Sequence, residues 1–222
     1  MKNLAIAFLI TFLVVPAAAQ YIYSSGPSNG NWNAWVINFG FIVSDQFTIP
    51  SGGTTLSGGE FAMWTFPGDT LTSAELSITS GENGGTRYFD QTVSFTQSNC
   101  AGNQYGYNVC IESTMFSGPT LAGGTYWMNL QNARVPNGDP IYWDQTAGPR
   151  FYHDPASQNS VGTIPGETFT VLGICGGHGG DCQASPATTE GSTAPEPGSF
   201  SLLACGGVTI FGFLGALRRK LL

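Results

Sequence analysis

Charge is scarce in this sequence. Only 9% of its 222 residues are charged, against a typical quarter. Helical bundles and coiled coils need many charged helix formers, so both are excluded. Basic residues are scarcer still, 7 Lys and Arg against 14 Asp and Glu. A nucleic-acid binder needs a basic face, and none can be assembled here. Between Gln20 and Ala194 there is no lysine at all. The three arginines there, Arg87, Arg134 and Arg150, stand against 13 acidic residues, a net charge of −10. Such a segment repels polyanions at low salt. Histidine is limited to His153 and His178. No segment keeps a helical period over ten residues. Charge-rich disorder is excluded as well, because 41% hydrophobic and 13% aromatic residues supply a core.

What the chain has in quantity is glycine, 31 residues, with 13 prolines. These punctuate short apolar runs. Trp35, Ile37, Phe39, Phe41 and Val43 occupy alternate positions, the period of a strand with one buried face. Phe47 to Ile49 stops at Pro50-Ser51-Gly52-Gly53, and Phe61 to Phe66 stops at Pro67-Gly68-Asp69, both turn signals. Further β-type runs are 71–79, 92–96, 107–111, 125–130, 141–143 and 169–174. About nine short strands separated by turns predict an all-β fold, an antiparallel β-sandwich or jelly roll over residues 20–182. A membrane barrel would need regular strands of about ten residues, and they are scarce in the pattern.

The two ends read as processing signals. Residues 1–19 have the form of a signal peptide: Lys2, an apolar run of 12 residues from Leu4 to Val15, then Pro16 and the small residues Ala17-Ala18-Ala19. Ala17 and Ala19 form an A-x-A site for signal peptidase, with cleavage before Gln20. At the other end, Phe200 to Leu217 is 18 residues without a charge, long enough for a transmembrane helix. Arg218-Arg219-Lys220 follow, and the positive-inside rule keeps them cytoplasmic. Both signals predict export of the preceding chain across the membrane. Residues 183–194, QASPATTEGSTA, read as a flexible linker. Pro195-Glu196-Pro197 stand just before the span, and the prolines hold Glu196 in an extended segment outside it.

That ordered set, Pro195-Glu196-Pro197, an apolar span and a basic end at Arg218 and Arg219, resembles the PEP-CTERM sorting signal. It covers residues 195–222. The resemblance implies an exported protein of a Gram-negative, exopolysaccharide-producing bacterium. It also implies an exosortase in the inner membrane as partner, which recognises the Pro-Glu-Pro segment and removes the tail. The mature chain then reaches the cell surface or the extracellular space. The stretch 121–133 (LAGGTYWMNLQNA) with Tyr142-Trp143-Asp144 resembles a β-sandwich ectodomain found in many such proteins. That likeness implies fold and location, and no chemistry.

Four cysteines lie in the exported part: Cys100, Cys110, Cys175 and Cys182. An even number in an exported domain predicts disulfides. Three pairings are open. The local one, Cys100 with Cys110 and Cys175 with Cys182, encloses glycine-rich turns and is preferred. Cys175, His178, Asp181 and Cys182 match no standard zinc spacing, and no metal or cofactor is expected. Gly26-Pro27-Ser28-Asn29-Gly30 matches G-x-S-x-G but lies in a polar stretch, outside the strand–turn–helix setting that the motif needs. The acidic residues show no pair spaced for glycoside hydrolysis, and the EF-hand spacing for calcium is absent. No catalytic residue is therefore assigned. Tyr105, Tyr107, Tyr142 and Trp143 lie near glycine-rich turns and are the candidate ligand contacts. The expectation is a non-enzymatic cell-surface or matrix protein. Its alternative is a module that binds exopolysaccharide through exposed aromatics.

Overall fold

The computed structural model describes residues 19–148 and 155–175. The signal peptide up to Ala18, His153, His178, Cys182, the linker, the Pro-Glu-Pro segment, the 200–217 span and the basic end at Arg218 and Arg219 lie outside the described residues. Among the described residues no helix is long and apolar enough to cross a membrane.

The described residues are all-β, and their strands form two antiparallel sheets. The strands are β1 (Gln20–Ser24), β2 (Ala34–Val36), β3 (Ile42–Ile49), β4 (Thr54–Thr65), β5 (Ser73–Gly81), β6 (Gly84–Ser94), β7 (Thr96–Gly102), β8 (Asn108–Met115), β9 (Thr120–Leu121), β10 (Gly124–Arg134), β11 (Tyr142–Asp144), β12 (Ala156–Gln158), β13 (Gly162–Ile164) and β14 (Phe169–Cys175). One sheet runs β13-β12-β3-β10-β5-β6. The other is built on β4, whose twelve residues pair with β14 and β11 along one edge and with β9 and β8 along the other. β1, β2 and β7 extend it outward from β14, β11 and β8.

Alternation decides which residues meet between the sheets. Val43, Phe47 and Ile49 of β3, Leu76 and Ile78 of β5, and Met128 and Leu130 of β10 face Leu56, Phe61 and Met63 of β4 and Phe169 and Val171 of β14 in one buried core. Aromatic rings stitch the layers together. Phe47 meets Phe169 edge-on at 6.4 Å, and Trp143 meets Phe61 and Phe169 at 5.5 and 5.4 Å. Edge-to-face rings of this kind add to their area burial.

Two local features depart from the sequence expectation. The alternation from Trp35 to Val43 is not one strand. It breaks between β2 and β3, where Phe39 has a left-handed backbone (φ 57°) and its ring is 64% exposed. Period two survives on either side of the break, so the pattern looks continuous when only residue types are read. Conversely, the run expected from Phe61 begins earlier, because β4 runs from Thr54 through Gly58 and Gly59. A Cβ on Gly58 would lie 2.4 Å from the carbonyl oxygen of Thr114 and 2.8 Å from the sulfur of Met115. Here glycine permits close approach of strands.

Candidate functional site

The core-facing side of β4 presents Phe61 and Met63, so its outer side presents Glu60, Ala62 and Trp64. Register then brings neighbours beside them. Tyr142 of β11 and Val109 of β8 stand opposite Trp64, Ile111 opposite Ala62, and Thr170 opposite Glu60. The loop 103–107 folds over Trp64. Tyr105 stacks on the indole at 5.9 Å and 25°, while Tyr107 lies 5.7 Å from it and 5.6 Å from Tyr142. Asn103 shapes this loop, its Oδ1 accepting the backbone N–H of both Tyr105 and Tyr107 at 3.0 Å.

Three of the four candidate contacts are thus gathered around one indole. Burial and the neighbouring Tyr107 hydroxyl push the Tyr142 phenol up to about 12, so it stays protonated. Tyr105 is 56% exposed and presents its outer ring face to solvent. Trp143 is a correction. Its side chain is fully buried, and its indole N–H donates to the carbonyl of Thr168 at 2.8 Å. Alternation on β11 turns Tyr142 outward and Trp143 into the core. Trp64, unassigned from sequence, is the residue that organises the cluster. The signal for it was its place on alternate residues with Glu60 and Ala62, opposite to Phe61 and Met63.

Trp64 is fixed by Asp144, whose Oδ1 accepts the indole N–H at 2.7 Å. Oδ2 of Asp144 accepts the Ser28 hydroxyl at 2.6 Å and the Gly30 N–H at 3.1 Å. Burial raises the Asp144 pKa, and these hydrogen bonds oppose the rise. The G-x-S-x-G segment is therefore an anchored loop. Gly26 and Gly30 adopt φ of 118° and 66° there, and the hydroxyl of Ser28 is committed to Asp144.

Facing this loop across the sheet is a bulge in β7. Pairing with β8 shifts register between Ser98 and Ala101, and Asn99 is left-handed at φ 51°. The Cys100–Cys110 disulfide ties the bulge to β8, as local pairing predicts. Cys182 lies outside the described residues, so the second expected pair does too. Between loop 26–31 and the β7 bulge run two adjoining cavities of about 330 and 270 Å³, and both are lined by Ser28, Asn99 and Ile111. At one end Asn103 Nδ2 donates to Gly30 O, and Gln104 Nε2 to Asn31 O, each at 3.1 Å. These bonds join the two walls.

A second polar cluster lies at one end of the core. Glu167 is fully buried, and neither of its carboxyl oxygens has a hydrogen-bond partner. Burial, with repulsion from Asp45 and Asp144, raises its pKa well above the usual carboxylate range. The Glu167 backbone N–H donates to Asp45 Oδ2. Among the described residues no three His, Cys, Asp or Glu side chains are arranged to hold a metal ion.

Comparison with known proteins finds no matching family model and no matching curated relative. The site must be read from its own chemistry.

Proposed function

We propose that this chain is an exported, non-enzymatic cell-surface or extracellular-matrix protein. Its two packed sheets form a β-sandwich ectodomain of jelly-roll type, and a C-terminal signal of the PEP-CTERM kind sorts it. The observation that carries the reading is the order Pro195-Glu196-Pro197, 18 uncharged residues, then Arg218-Arg219-Lys220, behind an N-terminal export signal. The partners are signal peptidase at Ala17-Ala18-Ala19 and an exosortase at Pro195-Glu196-Pro197. The Cys100–Cys110 bond supports an oxidising destination. Mass analysis of the C-terminus in the native host tests the reading. A mature chain ending before Phe200 is expected. A mature chain that still carries Phe200 to Leu222 overturns it.

A second reading is favoured by one observation. The exposed ring of Tyr105 is backed by Trp64, a flat apolar surface of the sort on which the C–H face of a sugar ring stacks. On that reading the ectodomain binds exopolysaccharide.

A further inference from the structure

We infer that the groove between loop 26–31 and the β7 bulge binds a neutral glycan chain, which reaches past its closed end to stack on Tyr105 of the adjoining 103–107 loop. The inference rests on the carbohydrate reading above and gives it a location and a charge class.

The groove is preorganised on both sides. Ser28 and Gly30 are tied to Asp144, Asn29 Nδ2 donates to Gln145 O at 2.6 Å, and Ala147 N donates to Pro27 O at 2.8 Å. The opposite wall is held by the Cys100–Cys110 disulfide. Rigid walls reduce the ordering cost of binding. Taken together, the two cavities fall within the size range of small-molecule sites, and their shared lining makes them one elongated track.

The lining selects the ligand. The floor is aliphatic, from Ala62, Val109 and Ile111, and hydroxyls and amides from Ser98, Asn99 and Thr170 stand along its sides. This alternation of apolar and hydrogen-bonding surface matches a sugar, which has C–H faces and hydroxyl edges. Among the described residues of the lining, Glu60 is the one carboxylate and there is no arginine. With a surrounding segment at net −10, an acidic glycan is repelled. A polypeptide adding as a strand finds no unpaired edge on the floor, because β4 and β8 are each paired on both sides.

The test is affinity electrophoresis of the full-length chain in detergent, through gels containing hydroxyethyl cellulose, galactomannan, xylan or alginate. Retardation by at least one of the neutral polymers is expected, with none by alginate. Tyr105→Ala should weaken the retardation constant about tenfold, the scale of one aromatic contact. Ser98→Arg, which fills the groove from its exposed wall, should abolish retardation. Should Ser98→Arg fail to fold, Tyr105→Ala at an exposed ring remains decisive, with an unchanged melting temperature as its control. Neutral-glycan binding that survives both substitutions overturns the groove while leaving the carbohydrate reading standing. Retardation by alginate alone overturns the inference while leaving the carbohydrate reading standing, and retardation by none of the four polymers overturns both together.

Discussion

The indole N–H of Trp64 and the carboxylate of Asp144 meet at 2.7 Å across β4 and β11. Asp144 is therefore the joint between the aromatic cluster and the loop 26–31, since its other oxygen holds Ser28 and Gly30. Without it the loop has fewer ties to the sheet, and Trp64 has no fixed partner for its N–H. Tyr105 stacks on that indole, so the platform depends on a carboxylate that never reaches the surface.

Replacing this joint should be costly in a graded way. Asp144→Ala leaves three donors without their acceptor, two of them in partly buried positions. A loss of about 3 kcal/mol is expected, from about 1 kcal/mol or more per orphaned donor. Asp144→Asn keeps one carbonyl oxygen and should lose about half as much. Urea denaturation followed by tryptophan fluorescence measures both. Equal stability of Asp144→Ala and the parent chain would show that the carboxylate is not the joint.

The disulfide gives a second expectation. Cys100 and Cys110 are ten positions apart, and closing a loop of that size contributes about 3 kcal/mol in the chain-entropy account. The pair Cys100→Ser, Cys110→Ser should lower stability by about that amount. It should also expose the β7 bulge to protease earlier than the rest of the chain. Peptide mapping without reduction should recover a peptide linking Cys100 to Cys110. A map linking Cys100 or Cys110 to Cys175 or Cys182 contradicts the pairing.

Much of the fold was legible because it depends on local chemistry. Pro50 to Gly53 and Pro67 to Asp69 end strands as their residue types require, and the pairs Phe47/Ile49 and Met128/Leu130 point inward by period two. β6 and β7 were largely hidden. They are edge strands, and most of their side chains, such as Thr86, Asp90, Ser98 and Asn99, are exposed, so they carry little apolar alternation. The aromatic cluster was half legible. Tyr105, Tyr107 and Tyr142 were found from turn proximity, yet Trp143 was placed on the wrong side. Its face is set by the register of β11 on β4, a long-range pairing that local composition does not encode. Trp64 was missed for the same reason, because its neighbours come from 41 to 80 positions away.

A polar seam on the outer side of the other sheet supports the third expectation. Asn129 lies at its centre. Its Oδ1 is 2.5 Å from the Ser44 hydroxyl, and its Nδ2 donates to the Thr79 hydroxyl at 2.9 Å. The turn residue Asn83 reaches the same seam, with Nδ2 donating to Ser157 Oγ at 3.1 Å. These side chains are buried, so each lost partner leaves an unsatisfied group. Asn129→Ala should cost about 2–4 kcal/mol, more than a typical surface change. Asn83→Ala, at the rim of the seam and at φ 49°, should cost about 1–2 kcal/mol by adding strain and losing two half-buried side-chain hydrogen bonds, from the Ser44 hydroxyl and to Ser157 Oγ. Calorimetric melting of both variants checks the order. A reversed order would place the seam's anchor in the turn and not at Asn129.

Glu112 gives the last expectation, and its sign can be worked out. Its side chain has no solvent exposure, and it points from β8 toward the core side of the sheet, opposite Phe61. Oε1 accepts the Gln97 amide at 2.9 Å, and Oε2 has no partner. Burial raises the pKa from 4.5 to about 7, against smaller opposing effects from Gln97 and the Leu71 backbone. The folded chain therefore holds this proton more tightly than the unfolded chain does. Below pH 4.5 both states are protonated and the group costs nothing. As pH rises from 4.5 to about 7 the unfolded state releases the proton first, and stability falls. The full fall is at most about 3.5 kcal/mol, from about 1.4 kcal/mol per pH unit, and it levels off above pH 7. Asp144 and Glu167 are also raised and slope the same way, so the parent profile alone cannot isolate Glu112. Glu112→Gln keeps an amide partner for Gln97 and cannot ionise. The stability difference between Glu112→Gln and the parent should therefore grow in favour of the variant from pH 4.5 to pH 7, and then stay constant. Urea denaturation at half-unit pH steps measures it. Parallel profiles over that window would mean that Glu112 titrates normally in the folded chain, and would overturn the expectation.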